Sequence, residues 1–554
     1  MITADQLTVT YPFTKEPAMA GFTSRIRSGE NVLVIGPSGS GKSTLTLAVQ
    51  GILPRSVEAD VAGELQVDGE IPSHRSIMEA AAKTGVLFQD PDTQFCMAVI
   101  RDELAFTMEN RAIAQEKMDS RMQSALKAVG MQAHIDTAIH ALSGGMKQKA
   151  AMASLWCQDP DIWIIDEPMS QLDPAARRSL AECLQVIKQD AEKTLIMIEH
   201  QLDEVVELAD RLIVMDDRGS VFADGAPRDV LTEHTEAMVS MGIRLPSVTK
   251  TAYALLNKHP ELFRRMPVTI KQWQEGTRHL PAEIINRVLP VPAGSGRIDD
   301  KNIVLEGEKL SFRYKGTKVI DELSCRFYKG EFHAIVGRNG SGKSTLFQLL
   351  TGWLKQEQGD VSLFGEKLTR KSMKRIASAI GIVFQQPEHQ FIHVTVEKEL
   401  RHSMEIEGWK EEAIKERVEE LLDLFALQHK KMSHPFQLSQ GQKRRLSTAV
   451  MLTSSQSILL LDEPMFGLDQ RNTDALLMIL RKLQEEGKTI VMITHDLNVV
   501  YSYASRVIAI DEGVVYYEGD TASFFHHPDQ IHRAGGVIPA CMEMRQEKER
   551  LIYV

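Results

Sequence analysis

Short runs of almost wholly apolar residues recur along this chain, separated by longer stretches with the mixed spacing of amphipathic helices. Residues 31–35 (NVLVI) and 332–336 (FHAIV) each end against a glycine and lead into a Ser-Thr-Leu segment of helical character, which predicts strand, loop, helix. The runs at 162–165 (IWII), 195–198 (LIMI), 458–461 (ILLL) and 490–493 (IVMI) predict further buried strands, and 119–129 and 411–425 predict helices between them. Strands this short and apolar on both faces, alternating with helices, belong in a mainly parallel sheet covered on both sides. The expected class is α/β.

The pattern repeats. GPSGSGKST at 36–44 recurs as GRNGSGKST at 337–345, VLFQDPDTQF at 86–95 as IVFQQPEHQF at 382–391, and WIIDEP at 163–168 as LLLDEP at 459–464. The offset is 301 residues from Lys42 to Lys343 and 296 from both Gln89 to Gln385 and Asp166 to Asp462. A period this long and steady is a duplicated domain. GIRLP at 242–246 and GGVIP at 535–539 match as well, so each half is expected to carry a small C-terminal appendage. The segment LPVPAGSGRIDDKN at 289–302 is rich in turn formers and marks a boundary. The expected organisation is a first domain at 1–225, its appendage at 226–290, a linker at 291–302, a second domain at 303–520 and its appendage at 521–554.

Composition narrows the partners. Hydrophobic residues make up 43% of the 554 and charged residues 25%, as in ordinary globular chains. The 64 Lys plus Arg against 75 Asp plus Glu give a net charge of -11, which argues against nonspecific nucleic-acid binding and against electrostatic anchoring on anionic lipid. Five scattered cysteines form no CxxC pair, so neither a disulfide framework nor a zinc site is expected. No run approaches the roughly 18 apolar residues of a spanning helix. The chain is expected neither to cross a membrane nor to be exported.

The chemistry sits at the strand ends. In G-x-x-x-x-G-K-[ST], glycines let backbone N–H groups curl around phosphate oxygens while the following helix points its positive end at the same charge. Gly36, Gly39, Gly41, Lys42, Ser43 and Thr44, with Gly337, Gly340, Gly342, Lys343, Ser344 and Thr345, form two such loops. Lys42 and Lys343 would reach the β- and γ-phosphates of ATP. Ser43 and Ser344 would hold Mg²⁺ together with Asp166 and Asp462. Two matches at the repeat spacing leave chance little room. Glu167 and Glu463 directly follow the aspartates, where a carboxylate can orient or deprotonate the attacking water. His200 and His495 close the runs LIMIEH and IVMITH, placed to hydrogen-bond a γ-phosphate. Either histidine alone would be ordinary; their matching positions point to function.

LSGGMKQ at 142–148 and LSQGQKRR at 438–445 resemble the signature segment of ABC ATPases. With the phosphate loops, the resemblance takes in Gln89 and Gln385, which it implies are catalytic and metal-binding residues. It also takes in the D-loop aspartates Asp173 and Asp469. Tyr11 and Tyr314 look like that family's adenine-stacking aromatics, though as residues alone they fit a strand edge equally well. The resemblance implies two P-loop domains, each with a RecA-like parallel core, an antiparallel β subdomain and a helical signature subdomain. It further implies a head-to-tail intramolecular sandwich. One site would pair Lys42, Glu167, Gln89 and His200 with Ser439 and Gly441, and the other Lys343, Glu463, Gln385 and His495 with Ser143, Gly144 and Gly145. Met146, Gln440 and Phe466 depart from the family pattern, whereas the first half keeps Ser170 opposite Phe466. A side chain at 440 is expected to restrict the backbone freedom glycine gives beside a γ-phosphate, slowing the Lys42/Glu167 site.

After each loop glutamine both halves share Q-x-P-[DE]-x-Q-F, which resembles the energy-coupling-factor (ECF) importers of vitamins and transition metals. There the region docks a transmembrane coupling subunit, which works with a small membrane-embedded substrate-binding subunit. Asp92, Gln94, Glu388 and Gln390 are the docking candidates, the two acids as partners for arginines. The fused arrangement, the 226–290 appendage and the LSQGQKRR variant resemble tandem ATPases proposed for uptake of the thiamine precursor hydroxymethylpyrimidine. The expected location is the cytoplasmic face of the cell membrane, bound peripherally. A tandem sugar-importer ATPase would share the nucleotide chemistry and stays open as an alternative. A ribosome-acting ABC protein would carry basic surfaces and a long charged linker, and a DNA-repair one long heptad insertions or zinc cysteines.

Overall fold

All six apolar runs are strands at the centre of two parallel sheets. The computed structural model describes residues 2–545 except 13, 15, 38, 171, 257–258, 260–261, 282–283, 286–288, 295–301, 370–371, 384–389, 439, 454–455, 466–467 and 469. They fall into two compact units, 2–288 with 544–545, and 289–543.

In the first unit β1 (Ile2–Thr10), β2 (Met19–Ile26) and β4 (Asp60–Val67) form an antiparallel sheet in the order β2-β1-β4. The main sheet comprises β3 (Asn31–Ile35), β5 (Thr84–Leu87), β6 (Ile162–Asp166), β7 (Thr194–Ile198), β8 (Arg211–Met215) and β9 (Val221–Gly225). Its order is β5-β6-β7-β3-β8-β9, parallel except where β9 turns back on β8. Every residue of β3, β5, β6 and β7 is buried, the physical reason these strands read as unbroken apolar runs. The helix Lys42–Val49 lies between the two sheets, and Leu7, Phe22, Val34, Leu45, Ile164 and Ile196 share that core. Fully burying one such side chain stabilises by about 1.5–3 kcal/mol.

The second unit repeats this plan. An antiparallel sheet in the order β11-β10-β13-β14 is built from β10 (Ile303–Tyr314), β11 (Thr317–Tyr328), β13 (Gln358–Leu363) and β14 (Glu366–Lys367). The parallel sheet has the order β15-β16-β17-β12-β18-β19. Its strands are β12 (Phe332–Val336), β15 (Ile380–Val383), β16 (Ile458–Asp462), β17 (Thr489–Ile493), β18 (Arg506–Asp511) and the antiparallel β19 (Val514–Asp520). Helices Ile100–Glu109, Gln115–Ala128 and Gly144–Gln158 pack together beside the first sheet, and Val396–Ile406, Glu411–Leu424 and Gln440–Met451 do so beside the second.

Past β9 run helices Pro227–Ser240, Ser247–Leu256 and Ile270–Thr277, centred on the fully buried Trp273 stacked on Phe263 at 5.7 Å. Ser247 anchors them by donating from its amide (2.7 Å) and hydroxyl (2.9 Å) to the Asp203 carboxylate, three residues beyond His200. Among the described residues no helix is long and apolar enough to cross a membrane.

Candidate functional site

In an open parallel sheet the loops at the carboxyl ends of the strands converge on one crevice, where ligands bind. The strand order therefore decides which residues meet. In the first unit β3 leads into the glycine loop, β5 toward Gln89, β6 into Asp166 and Glu167, and β7 into Glu199 and His200. Asp166 pairs in register with Ile198, so the acid pair and the histidine emerge at one level. In the second unit Asp462 pairs with Ile493 in the same way.

Each glycine loop closes on a left-handed residue at the helix start, Gly41 (φ 85°) and Gly342 (φ 101°). A Cβ at Gly41 would lie 2.5 Å from the Ala18 carbonyl oxygen, so glycine is required there. Lys42 is buried, and its Nζ donates to the carbonyls of Gly36 (3.0 Å) and Pro37 (2.9 Å). Lys343 Nζ donates equivalently to Gly337 (2.7 Å) and Arg338 (2.8 Å). Both ammonium groups are thereby centred over a loop framed by a helix N-terminus. Tyr11 Oη lies 3.2 Å from Thr44 Oγ1, and Tyr314 donates to Gln348 Oε1 at 3.2 Å, so both aromatics flank the helix that follows a glycine loop. Tyr314 is 45% exposed, open to a stacking partner.

Asp166 accepts from the hydroxyls of Thr46 and Ser43. Burial, then the neighbouring Glu167 charge, pushes its carboxyl up from 3.8 to about 6. Asp462 accepts from Ser344 and is raised for the same leading reason, with the Lys343 and Arg444 charges opposing. Among the described residues no cluster of three or more His, Cys, Asp and Glu could hold a metal by itself. A buried carboxylate beside a serine hydroxyl fits Mg²⁺ instead, because that ion takes one or two protein ligands and completes its shell with phosphate and water.

His200 Nε2 is 2.9 Å from Glu167 Oε1, and His495 Nδ1 is 3.1 Å from Glu463 Oε1. Burial works to raise the Glu167 carboxyl, but the His200 hydrogen bond and charge and the Lys42 charge together hold it below its ordinary value. It is thus an ionised acceptor suited to a water proton. Glu167 and Glu463 both have positive φ (50° and 47°), an uncommon backbone for glutamate that turns each carboxylate off its strand end.

Gln89 Nε2 donates to Ser170 Oγ at 3.2 Å, and Ser170 Oγ donates to the Glu167 carbonyl at 2.9 Å. The loop glutamine is thereby joined to the acid pair through the serine opposite Phe466. Gln385, Phe466, Ser439, Asp469 and Glu388 lie outside the described residues, as does the side chain of Gln440. Asp173 caps the helix Pro174–Lys188 by accepting from Ala176 N at 2.8 Å, and Ser143 caps Gly144–Gln158 through Met146 N at 3.4 Å. A Cβ on Gly145 would lie 2.9 Å from Ala176 Cβ, and one on Gly441 3.2 Å from Asn472 Nδ2.

One expectation needs correcting. Gly144 opens an α-helix, is not left-handed and faces open space, and Gln440 likewise begins the helix Gln440–Met451. Any L-residue adopts that backbone, so loss of glycine freedom at 440 cannot slow a site; only the added side chain could.

The docking candidates separate. Gln94 accepts from Phe88 N (3.1 Å) and donates to the Val86 carbonyl (2.8 Å), while Gln390 donates to the Ile382 carbonyl (2.7 Å) and accepts from Ser447. Both amides are taken up inside the chain, where they shape the loop. Asp92 is exposed but bound on both oxygens by Lys147 of the signature helix. Gln148, next along that helix, donates to the Gln89 carbonyl at 3.0 Å. These two ties, and a buried Glu199 accepting from Met169 N at 3.1 Å, were not read from the sequence. The signal for Glu199 was Glu-His in one half against Thr-His in the other.

Residues 19–170 and 320–466 each match the ABC transporter family. A provisionally named ABC transporter ATP-binding protein of Methanosarcina acetivorans is 32% identical over 544 residues, 97% of this chain and 88% of that one. The Bacillus subtilis protein provisionally named HMP/thiamine import ATP-binding protein YkoD is 34% identical over 526 residues, 95% of this chain and 92% of that one. A solved complex of an archaeal ribosomal stalk protein and the ribosome recycling factor aABCE1 aligns with a TM-score of 0.58 over 94% of this chain and 90% of that one. Its 18% identity makes that a likeness of fold alone. Two matched domains and relatives spanning nearly the whole chain show that this protein belongs to the ABC transporter family, as a tandem ATPase coupled to transport.

Proposed function

We propose that the chain is the ATP-hydrolysing subunit of an ECF-type importer, bound peripherally at the cytoplasmic face of the membrane. It would energise uptake of a vitamin, a vitamin precursor or a transition-metal ion through a coupling subunit and a small substrate-binding subunit on other chains. The two halves pair head to tail, so that each ATP bound by one half is completed by the other half's signature. Ser43 with Asp166, and Ser344 with Asp462, would hold Mg²⁺, which would supply charge neutralisation for the phosphates. Glu167 and Glu463 accept the water proton, and His200 and His495 orient the carboxylates and meet the γ-phosphate.

The observation that carries the importer class is Q-x-P-[DE]-x-Q-F in both halves, with Gln94 and Gln390 stapled to the same position of β5 and β15. In the first half this loop borders a groove of about 640 Å³ lined by Ile77, Met78, Phe95, Glu103, Phe106 and Arg111. Ile77 and Met78 are 71% and 68% exposed, an apolar rim suited to an amphipathic helix of a membrane subunit. The name of the Bacillus subtilis relative points to hydroxymethylpyrimidine or thiamine as cargo.

Affinity purification from detergent-solubilised membranes tests the reading. It predicts one coupling subunit and one small membrane-embedded binding subunit; a pair of permease subunits would instead support a sugar-type importer.

A further inference from the structure

Glu199 is 1% exposed, and nothing in the chemistry above uses it. Burial holds its carboxyl well above the ordinary range, with the Glu167 and Glu204 charges adding to that and the Met169 and His200 amides opposing it as donors. Arg177 lies 4.0 Å from Glu204 and is also buried. Burying a carboxyl in an apolar sheet is costly, and the fold does not require it. At the matching position of the second half stands Thr494, whose hydroxyl accepts from Asp496 N at 3.1 Å. Breaks with local packing rules concentrate at functional positions.

The carboxyl has a particular reach. Its Oε1 accepts from Met169 N, one residue before Ser170 and two after Glu167. The same turn is tied to the end of β7 by Glu167 N donating to the Ile198 carbonyl at 2.9 Å. Ser170 joins that turn to Gln89, and His200, the residue after Glu199, meets Glu167. Two successive bonds thus fasten the Glu167–Ser170 turn to the strand end that bears the histidine.

We propose that Glu199 is a positioning residue for hydrolysis at the first site, fixing the Met169 amide so that Glu167, Ser170 and Gln89 stay registered against His200. The second site has Thr494 in its place, so the two sites differ in stiffness as well as in signature. This rests on the assignment of Glu167 and His200 to hydrolysis.

The test uses the full chain carrying Glu463→Gln, so that turnover reports the first site. Glu199→Met keeps length and suits burial but removes the acceptor, Glu199→Thr copies the second half, and Glu199→Gln keeps an oxygen for the Met169 amide. The Met and Thr variants should lower kcat about tenfold, as displacement of a catalytic turn does, while affinity for a fluorescent ATP analogue changes less than about twofold. Thermal midpoints should hold within a few degrees, and Glu199→Gln should keep kcat within about twofold of its parent. An unchanged kcat in Glu199→Met, a Gln variant as slow as Met, or a kcat loss that only tracks the thermal midpoint would each overturn the proposal. Adding Glu167→Gln is the separate control: if it too leaves turnover unchanged, the hydrolytic assignment fails rather than the role of Glu199.

Discussion

Lys147 Nζ donates to both carboxylate oxygens of Asp92, at 2.7 and 2.8 Å, joining the candidate docking loop to the helix that starts at the signature. A partner's arginine at Asp92 must share or displace that lysine. The displacement is cheap, because the Asp92 side chain is 58% exposed and such pairs are worth about 0–1 kcal/mol. Asp92→Lys, and Glu388→Lys in the other half, should therefore leave folding and ATP binding intact while weakening co-purification with the coupling subunit. Unchanged assembly contradicts the docking role.

The His200–Glu167 contact predicts a signed pH effect. His200 is among the groups holding Glu167 below its ordinary value. Removing it in His200→Ala raises that carboxyl, so the acid limb of the pH–rate profile should move to higher pH while kcat falls about 10²-fold. A loss of kcat with the acid limb unmoved would separate the histidine from the glutamate.

Asp166 gives a second pH dependence. Its carboxyl is raised from 3.8 to about 6, so the folded chain holds the proton more tightly than the unfolded one. This group's contribution to the stability of the nucleotide-free protein is full below 3.8 and is lost as pH rises through about 6. Mg²⁺ held at this carboxyl, as proposed, would have to displace that proton. Protonation of the nucleotide's terminal phosphate, near about pH 6, weakens Mg²⁺ binding by itself; Asp166 should add a further fall of roughly fourfold between pH 7.5 and 5.5, and Asp166→Asn should remove that added part alone.

Much of this site was legible because duplication prints each motif twice, and because strands buried on both faces cannot hide their apolar runs. The crevice that gathers the candidate residues follows from which strand each motif ends. What escaped were contacts between loops distant in sequence. Nothing local in Asp92 or Lys147 announces their pairing across 55 positions. Gln94 looked like a surface residue because a polar side chain bonded to the backbone reads like one facing water. Gln440 departs from its expectation for a backbone reason, since it begins a helix and a helix start asks for no left-handed residue.

The added bulk at 440 still bears on rate. In the Glu463→Gln background, Gln440→Gly should raise turnover at the Lys42/Glu167 site by about three- to tenfold if that side chain crowds the nucleotide, with nucleotide affinity little changed. No increase would show that the departure is neutral.

Hydrolysis by two complete but unlike sites is the centre of the account, and the ATPase rates of wild type, Glu167→Gln, Glu463→Gln and the double variant in the assembled transporter test it most directly. Each single variant should keep part of the activity, Glu463→Gln losing the larger share, and the double should bind ATP with hydrolysis and import at background. Hydrolysis surviving in the double variant would contradict the assignment of Glu167 and Glu463, and equal losses in the two singles would contradict the asymmetry.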